Sequence, residues 1–108
     1  MLILYDQSTP VPIRPFLEGH TVRTAAQQGW DTLKNGDLLN AAEEAGFDMF
    51  LTPDKNLRCQ QNLAGRRIAI VVIGNPQWPV LRLYIERVVA AVNAAAPGSY
   101  SDVDIPFE

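Results

Sequence analysis

The sequence predicts an α/β fold: an open, mainly parallel sheet with helices on both faces. Three observations predict it. Short apolar, β-branched runs alternate with helical patterns along the whole chain, which is the order of a parallel sheet with crossover helices. Residues 68–73, Ile-Ala-Ile-Val-Val-Ile, are uniformly apolar, as in a strand covered on both faces. Residues 79–96 place Leu81, Ile85, Val88, Val92 and Ala95 on one helical stripe.

The elements follow in order. Leu2-Ile3-Leu4-Tyr5 is a first strand ending in Asp6, and Gln7-Ser8-Thr9-Pro10 carries turn and helix-start signals. A brief helix is predicted over residues 12–18, stopped by Gly19. Residues 20–24 alternate and are β-branched, which reads as a second strand. Residues 25–28 fit a helical turn closed by Gly29, and residues 30–36 a loop. Residues 37–45 form a helix with Leu38, Leu39, Ala42 and Ala45 on one side and Gly46 past its end. Residues 48–52 are a third strand, broken by Pro53-Asp54, with a short helix or turn beyond. Strand 68–73 ends at Gly74-Asn75-Pro76. Pro79 opens the last helix and Pro97-Gly98 stops it. Residues 98–108 read as a tail with an edge strand at 103–107.

The chain has 108 residues, 47% hydrophobic and 19% charged, which fits one globular domain over residues 1–108. A domain this small has a limited core, and a homodimer is one expected remedy. The formal net charge of −3 is not the basic balance of most nucleic-acid binders. The charge is unevenly spread: Lys55, Arg58, Arg66 and Arg67 fall in a stretch without acids, and Asp102, Asp104 and Glu108 in one without bases. Cys59 is the single cysteine, so an internal disulfide and a CxxC metal knuckle are both excluded. The start of the chain has no basic segment before its apolar run, and no apolar run is long enough to span a bilayer. A cytoplasmic protein without a membrane partner is the expectation.

Ligands of such sheets bind beyond the carboxyl ends of the strands. Asp6 immediately follows the first strand, and Asp54 lies just past the third. Asp37 opens the helix that leads into the third strand, so chain reversal returns it to the same edge. Three carboxylates from distant positions repel one another unless a cation is present. Oxygen ligands without His or Cys suit Mg²⁺ or Mn²⁺. Such an ion lowers the pKa of a coordinated water and polarises a phosphoryl oxygen, so phosphodiester hydrolysis is the matching chemistry. Taken singly, each aspartate also fits a plainer role: Asp37 as a first-turn charge, Asp54 as a turn residue and Asp6 as a cap.

Four segments occur in order: Leu2-Ile-Leu-Tyr-Asp6-Gln-Ser-Thr-Pro10, Gly19-His20-Thr-Val22, Asn35-Gly36-Asp37-Leu-Leu39 and Phe50-Leu-Thr52-Pro-Asp54-Lys-Asn-Leu57. Together they resemble the small PIN-like domains of the PilT N-terminus nuclease superfamily, over roughly residues 1–75. The resemblance implies a three-layer α/β/α fold and a metal-dependent ribonuclease site, with RNA as substrate and, as in many such toxins, a cognate antitoxin as partner. It gives Asp6, Asp37 and Asp54 the metal-holding roles, Thr52 a hydroxyl position beside the last acid, and Pro10 the opening of the first helix. Ser8 stands where relatives often carry an asparagine, and the fourth acid of full-length PIN nucleases has no clear counterpart, Asp31 and Asp48 being the neighbours considered.

Lys55, Arg58, Arg66 and Arg67 are candidate RNA-phosphate contacts, which would make binding salt-dependent; an ordinary solvated surface is the plainer alternative. His20 reads as a structural hydrogen-bonding residue, and Trp30 as packing rather than base stacking. Two other functions fit the same elements. One is a non-catalytic interaction domain with a degenerate acidic site. The other is a receiver-like phospho-acceptor domain, disfavoured because Gln7 and Gly74-Asn75-Pro76 stand where its second acid and its lysine belong.

Overall fold

A computed structural model describes residues 1–6, 9–55, 57 and 65–107. Ser8, Arg58 and Cys59 lie outside the described residues, as does most of the segment expected to follow Asp54 as a short helix or turn.

Five strands form the sheet: β1 (Leu2–Tyr5), β2 (Thr21–Thr24), β3 (Met49–Thr52), β4 (Ala69–Ile73) and β5 (Tyr100–Val103). Their spatial order is β2-β1-β3-β4-β5, and every pairing is parallel. The expected parallel α/β fold is therefore present.

Successive side chains of a strand point to opposite faces, so the strands divide between two cores. Ile3, Tyr5, Met49, Leu51, Val71 and Ile73 share one core. Leu4, Phe50, Ile70 and Val72 share the other. Helical segments cover both. The first core is closed by a 3-10 helix (Val11–Phe16) through Ile13, and by Leu81, Val88 and Val92 of the long connection from β4 to β5. The second is closed by Leu38, Leu39 and Ala42 of helix α1 (Asn35–Glu44), with Leu57. β4 needs no polar face because both of its faces are covered, and all its residues are buried.

Several elements differ from expectation. The first helix is 3-10 because Pro15 lies inside it; proline has no N–H to donate and clashes with the carbonyl four residues back in an α-helix. Helix α1 starts two residues early, at Asn35. It ends as expected at Gly46, whose φ is +86°. Phe47 N–H donates to Ala42 O and Gly46 N–H to Glu43 O, the paired bonds of a Schellman motif.

The last helix is broken into α2 (Trp78–Leu81), a 3-10 turn (Arg82–Tyr84) and α3 (Ile85–Ala94). Tyr84 leaves helical geometry at φ −121°, ψ 20°, while its ring packs against the core. Leu81, Val88 and Val92 still face the sheet, so the apolar stripe survives the break. Ala95 is extended, so the helix ends two residues ahead of Pro97.

The C-terminal strand lies at Tyr100–Val103 rather than 103–107. Gly74 N–H donates to Val103 O, and residues 104–107 then run as an extended strap across the end of β4. Ile105 is buried in the first core, and Asn75 Nδ2 donates to Pro106 O at 2.9 Å. A Cβ on Gly74 would stand 2.9 Å from Val103 O and 3.2 Å from Ile105 N, which is why the residue under the crossing has no side chain.

Candidate functional site

The chain leaving β1 passes to β2 on one side, and the chain leaving β3 passes to β4 on the other. The order reverses between β1 and β3, which opens a crevice at the carboxyl ends of these two strands. Asp6 and Thr52 meet in it. Asp6 N–H donates to Leu51 O at 3.0 Å and so extends the β1–β3 ladder by one residue. That puts the aspartate beside Thr52, the last residue of β3, whose Oγ1 donates to Asp6 Oδ2 at 2.7 Å. The same oxygen accepts the Asp54 N–H at 3.1 Å. One buried hydroxyl thus joins the Asp6 carboxylate to the backbone of Asp54. Both aspartates are half-buried.

Thr9 was not singled out by sequence, yet it is 5% exposed and fixes the turn after β1. Its N–H donates to Asp6 O at 3.0 Å, and its Oγ1 to Leu51 O at 2.8 Å. Asp31 enters from the β2 side. Thr24-Ala25-Ala26-Gln27 forms a reciprocal capping pair: Thr24 N–H donates to Gln27 Oε1, and Gln27 N–H to Thr24 Oγ1. The sequence signal was the Thr-x-x-Gln spacing. The turn it starts closes with Trp30 N–H donating to Ala25 O. Asp6, Thr9, Val11, Thr24, Ala26 and Asp31 line a cavity of about 370 Å³.

Asp37 sits in the first turn of α1 with an exposed side chain. Topology puts it at the edge of Asp6 and Asp54, but outside the Thr52 network. Among the described residues, no three His, Cys, Asp or Glu side chains lie close enough together to hold a metal ion. The donor set is nonetheless one that Mg²⁺ or Mn²⁺ accepts. Such ions are commonly held by one or two carboxylates together with a substrate phosphate rather than by a complete protein cage, and Asp6 and Asp54 supply two hard-oxygen side chains.

The candidate RNA contacts divide between the two edges. Lys55 stands at the acidic edge, with Nζ 4.4 Å from the centre of the Phe107 ring. Arg66 and Arg67 precede β4 and belong to the opposite edge. Arg66 Nη1 is 2.8 Å from Glu43 Oε1 and 3.0 Å from Asn40 Oδ1. Arg67 lines a cleft of about 550 Å³ with Met1, Phe47 and Asp48. His20 is structural, as expected: Nδ1 is 3.2 Å from the Met1 amino group and Nε2 is 2.9 Å from Asn93 Oδ1. Trp30 packs edge-on against Phe47.

Tyr5, the residue before Asp6, is 1% exposed and its hydroxyl has no hydrogen-bond partner among the described residues. Burial pushes its phenol well above the usual range, and the nearby Arg14 charge opposes this only in part.

No protein-family model, curated protein or solved structure matches the chain. Among the described residues, no helix is long and apolar enough to cross a membrane.

Proposed function

We propose that the chain is a PIN-like, Mg²⁺- or Mn²⁺-dependent ribonuclease that acts as the toxin of a toxin–antitoxin pair. The observation that carries this reading is the bond from Thr52 to Asp6 at the switch-point crevice, with Asp54 on the same hydroxyl. Thr52 holds one carboxylate oxygen of Asp6 in a fixed orientation, and Asp54 supplies the second acid from the next turn of chain. Asp6 and Asp54 would hold a divalent ion, which would supply positive charge at a substrate phosphate and lower the pKa of a water. Asp37, at the same edge, supplies further negative potential for the ion. The resemblance of the four sequence segments to PIN-like domains supports the substrate class and the antitoxin partner.

The test is cleavage of single-stranded RNA in Mn²⁺ by the wild type, Asp6→Asn and Asp54→Asn, each checked by circular dichroism. Both variants are expected to lose at least about 100-fold in rate while keeping the wild-type spectrum, as for loss of a group that stabilises transition-state charge. Equal rates at matched purity would remove Asp6 and Asp54 from the chemistry.

A second reading, a non-catalytic interaction domain with a degenerate site, draws on the lack of a three-acid group among the described residues. Calorimetry separates the two: binding heat at millimolar Mn²⁺ that disappears in Asp6→Asn supports the nuclease, and no heat supports the interaction domain.

A further inference from the structure

We infer that Phe107 and Lys55 form a nucleobase-stacking subsite for single-stranded RNA beside the acidic crevice. The inference rests on the nuclease reading for the identity of the ligand, and on separate observations for the subsite.

Phe107 is 64% exposed, the most exposed of the large apolar side chains among the described residues. It is carried by a strap that is firmly held just before it. Ile105 is 2% exposed in the core, and Pro106 O accepts from Asn75. Arg87 Nη1 donates to Asp104 O at 2.8 Å. The close passage over Gly74 leaves the strap no room to sink toward the sheet. A ring placed in water on so constrained a segment is not explained by packing.

The Lys55 ammonium stands 4.4 Å from the ring centre. That distance is a cation–π contact, and it leaves much of the ring open. An aromatic face next to a cation is the pairing that single-stranded nucleic-acid sites use: the base stacks on the ring and the phosphate meets the charge.

The position agrees with this use. Lys55 directly follows Asp54, so a nucleotide stacked on Phe107 lies next to the Thr52–Asp6 pair. The cavity under the strap is about 500 Å³ and includes Lys55, Val72, Gly74, Asp102 and Asp104. Two acids disfavour a phosphate in that cavity, whereas an uncharged base tolerates them. The base therefore points to the strap and the phosphate to Lys55. Stacking on the ring does not depend on base identity, and purines are favoured by their larger stacking area.

The test is fluorescence anisotropy with a labelled single-stranded RNA decamer in EDTA, where cleavage does not intervene. Wild type, Phe107→Ala, Phe107→Trp and Lys55→Ala are compared after their melting temperatures have been matched. Phe107→Ala is expected to weaken binding at least about 5-fold, the low end for removal of a stacking platform. Phe107→Trp is expected to hold wild-type affinity. Lys55→Ala is expected to lower the salt slope by about 0.7, the contribution of one phosphate contact on a single strand. An unchanged Kd in Phe107→Ala, or no binding by the wild type, overturns the subsite. Cleavage by the wild type in Mn²⁺, measured on the same oligomer, tests the nuclease reading separately: loss of binding in Phe107→Ala without any cleavage keeps the subsite and removes the nuclease.

Discussion

At the edge where the strands begin, polar side chains are directed at the chain itself. Asp48 Oδ2 accepts the Leu2 N–H at 2.8 Å. His20 reaches the Met1 amine and Asn93, and Arg66 joins α1 through Glu43 and Asn40. At the edge where the strands end, Thr52 aims its hydroxyl at a carboxylate that stays half-exposed, and Lys55 and Phe107 are held at the surface. Both edges carry acids and bases, so charge count does not tell them apart. The difference lies in what stays at the surface: Asp48, His20 and Arg66 close on neighbouring elements at one edge, whereas Asp6, Lys55 and Phe107 keep exposed surface at the other. Stability and chemistry should therefore respond separately to substitutions at the two edges.

Thr52→Val is the sharpest challenge to that separation, because this hydroxyl is buried and serves both purposes. It removes the Thr52 bonds to the Asp54 amide and to the Asp6 carboxylate, so a loss of about 1–3 kcal/mol is expected in urea denaturation. RNA cleavage should fall with it. Thr52→Ser, which keeps the hydroxyl, should recover most of the activity; if it does not, the hydroxyl is not what orients Asp6.

Arg66→Ala comes next. The ion pair is partly buried, with side-chain exposures of 18% and 22%, and its loss should lower stability by about 1 kcal/mol. RNA affinity in EDTA should stay at the wild-type value. A marked loss of affinity would extend the RNA path to the opposite edge and erase the contrast.

The smallest effect is expected at Tyr5. Phenylalanine there removes a buried hydroxyl without a partner among the described residues, and should stabilise by up to about 1 kcal/mol at neutral pH. The pH dependence has a definite sign. Burial raises the folded-state pKa above the ordinary 10.0, so its contribution is full below about pH 10 and declines as pH rises toward the folded value. Denaturation at pH 8 and pH 11 should show the gain of Tyr5→Phe over wild type widening at the higher pH.

The parts of the fold that were legible in the sequence were those with an unbroken physical signature. β4 showed itself by having no polar residue at all, and α1 by its stripe and Gly46. β5 was misplaced because Tyr100-Ser101-Asp102 carries no alternation; its place comes from backbone pairing with β4 and from the crossing at Gly74. The kink at Tyr84 was hidden because the spacing of Leu81, Val88 and Val92 fits both a straight helix and a broken one.

Within the candidate site, strand ends pointed to Asp6 and Asp54, since a parallel sheet puts all such ends on one edge, and Thr52 came from the resemblance to PIN-like domains. Position along the chain cannot say how far a helix start stands from the crevice, and Asp37 proved to lie outside the Thr52 network. Thr9 was not legible as a neighbour of the crevice, because a buried turn hydroxyl is defined by tertiary contacts alone.

The two outermost strands are the borders on which a further chain could add, and on β2 the Val22 carbonyl and the Thr24 N–H are already taken by Arg14 Nη2 and Gln27 Oε1. β2 carries Arg23 and β5 carries Asp102, each exposed and each inside its short strand. An incoming strand would have to settle against a fixed charge on either rim, so each guards its border against runaway stacking into fibres. Replacing both with threonine would leave the interior intact and make the protein prone to aggregate.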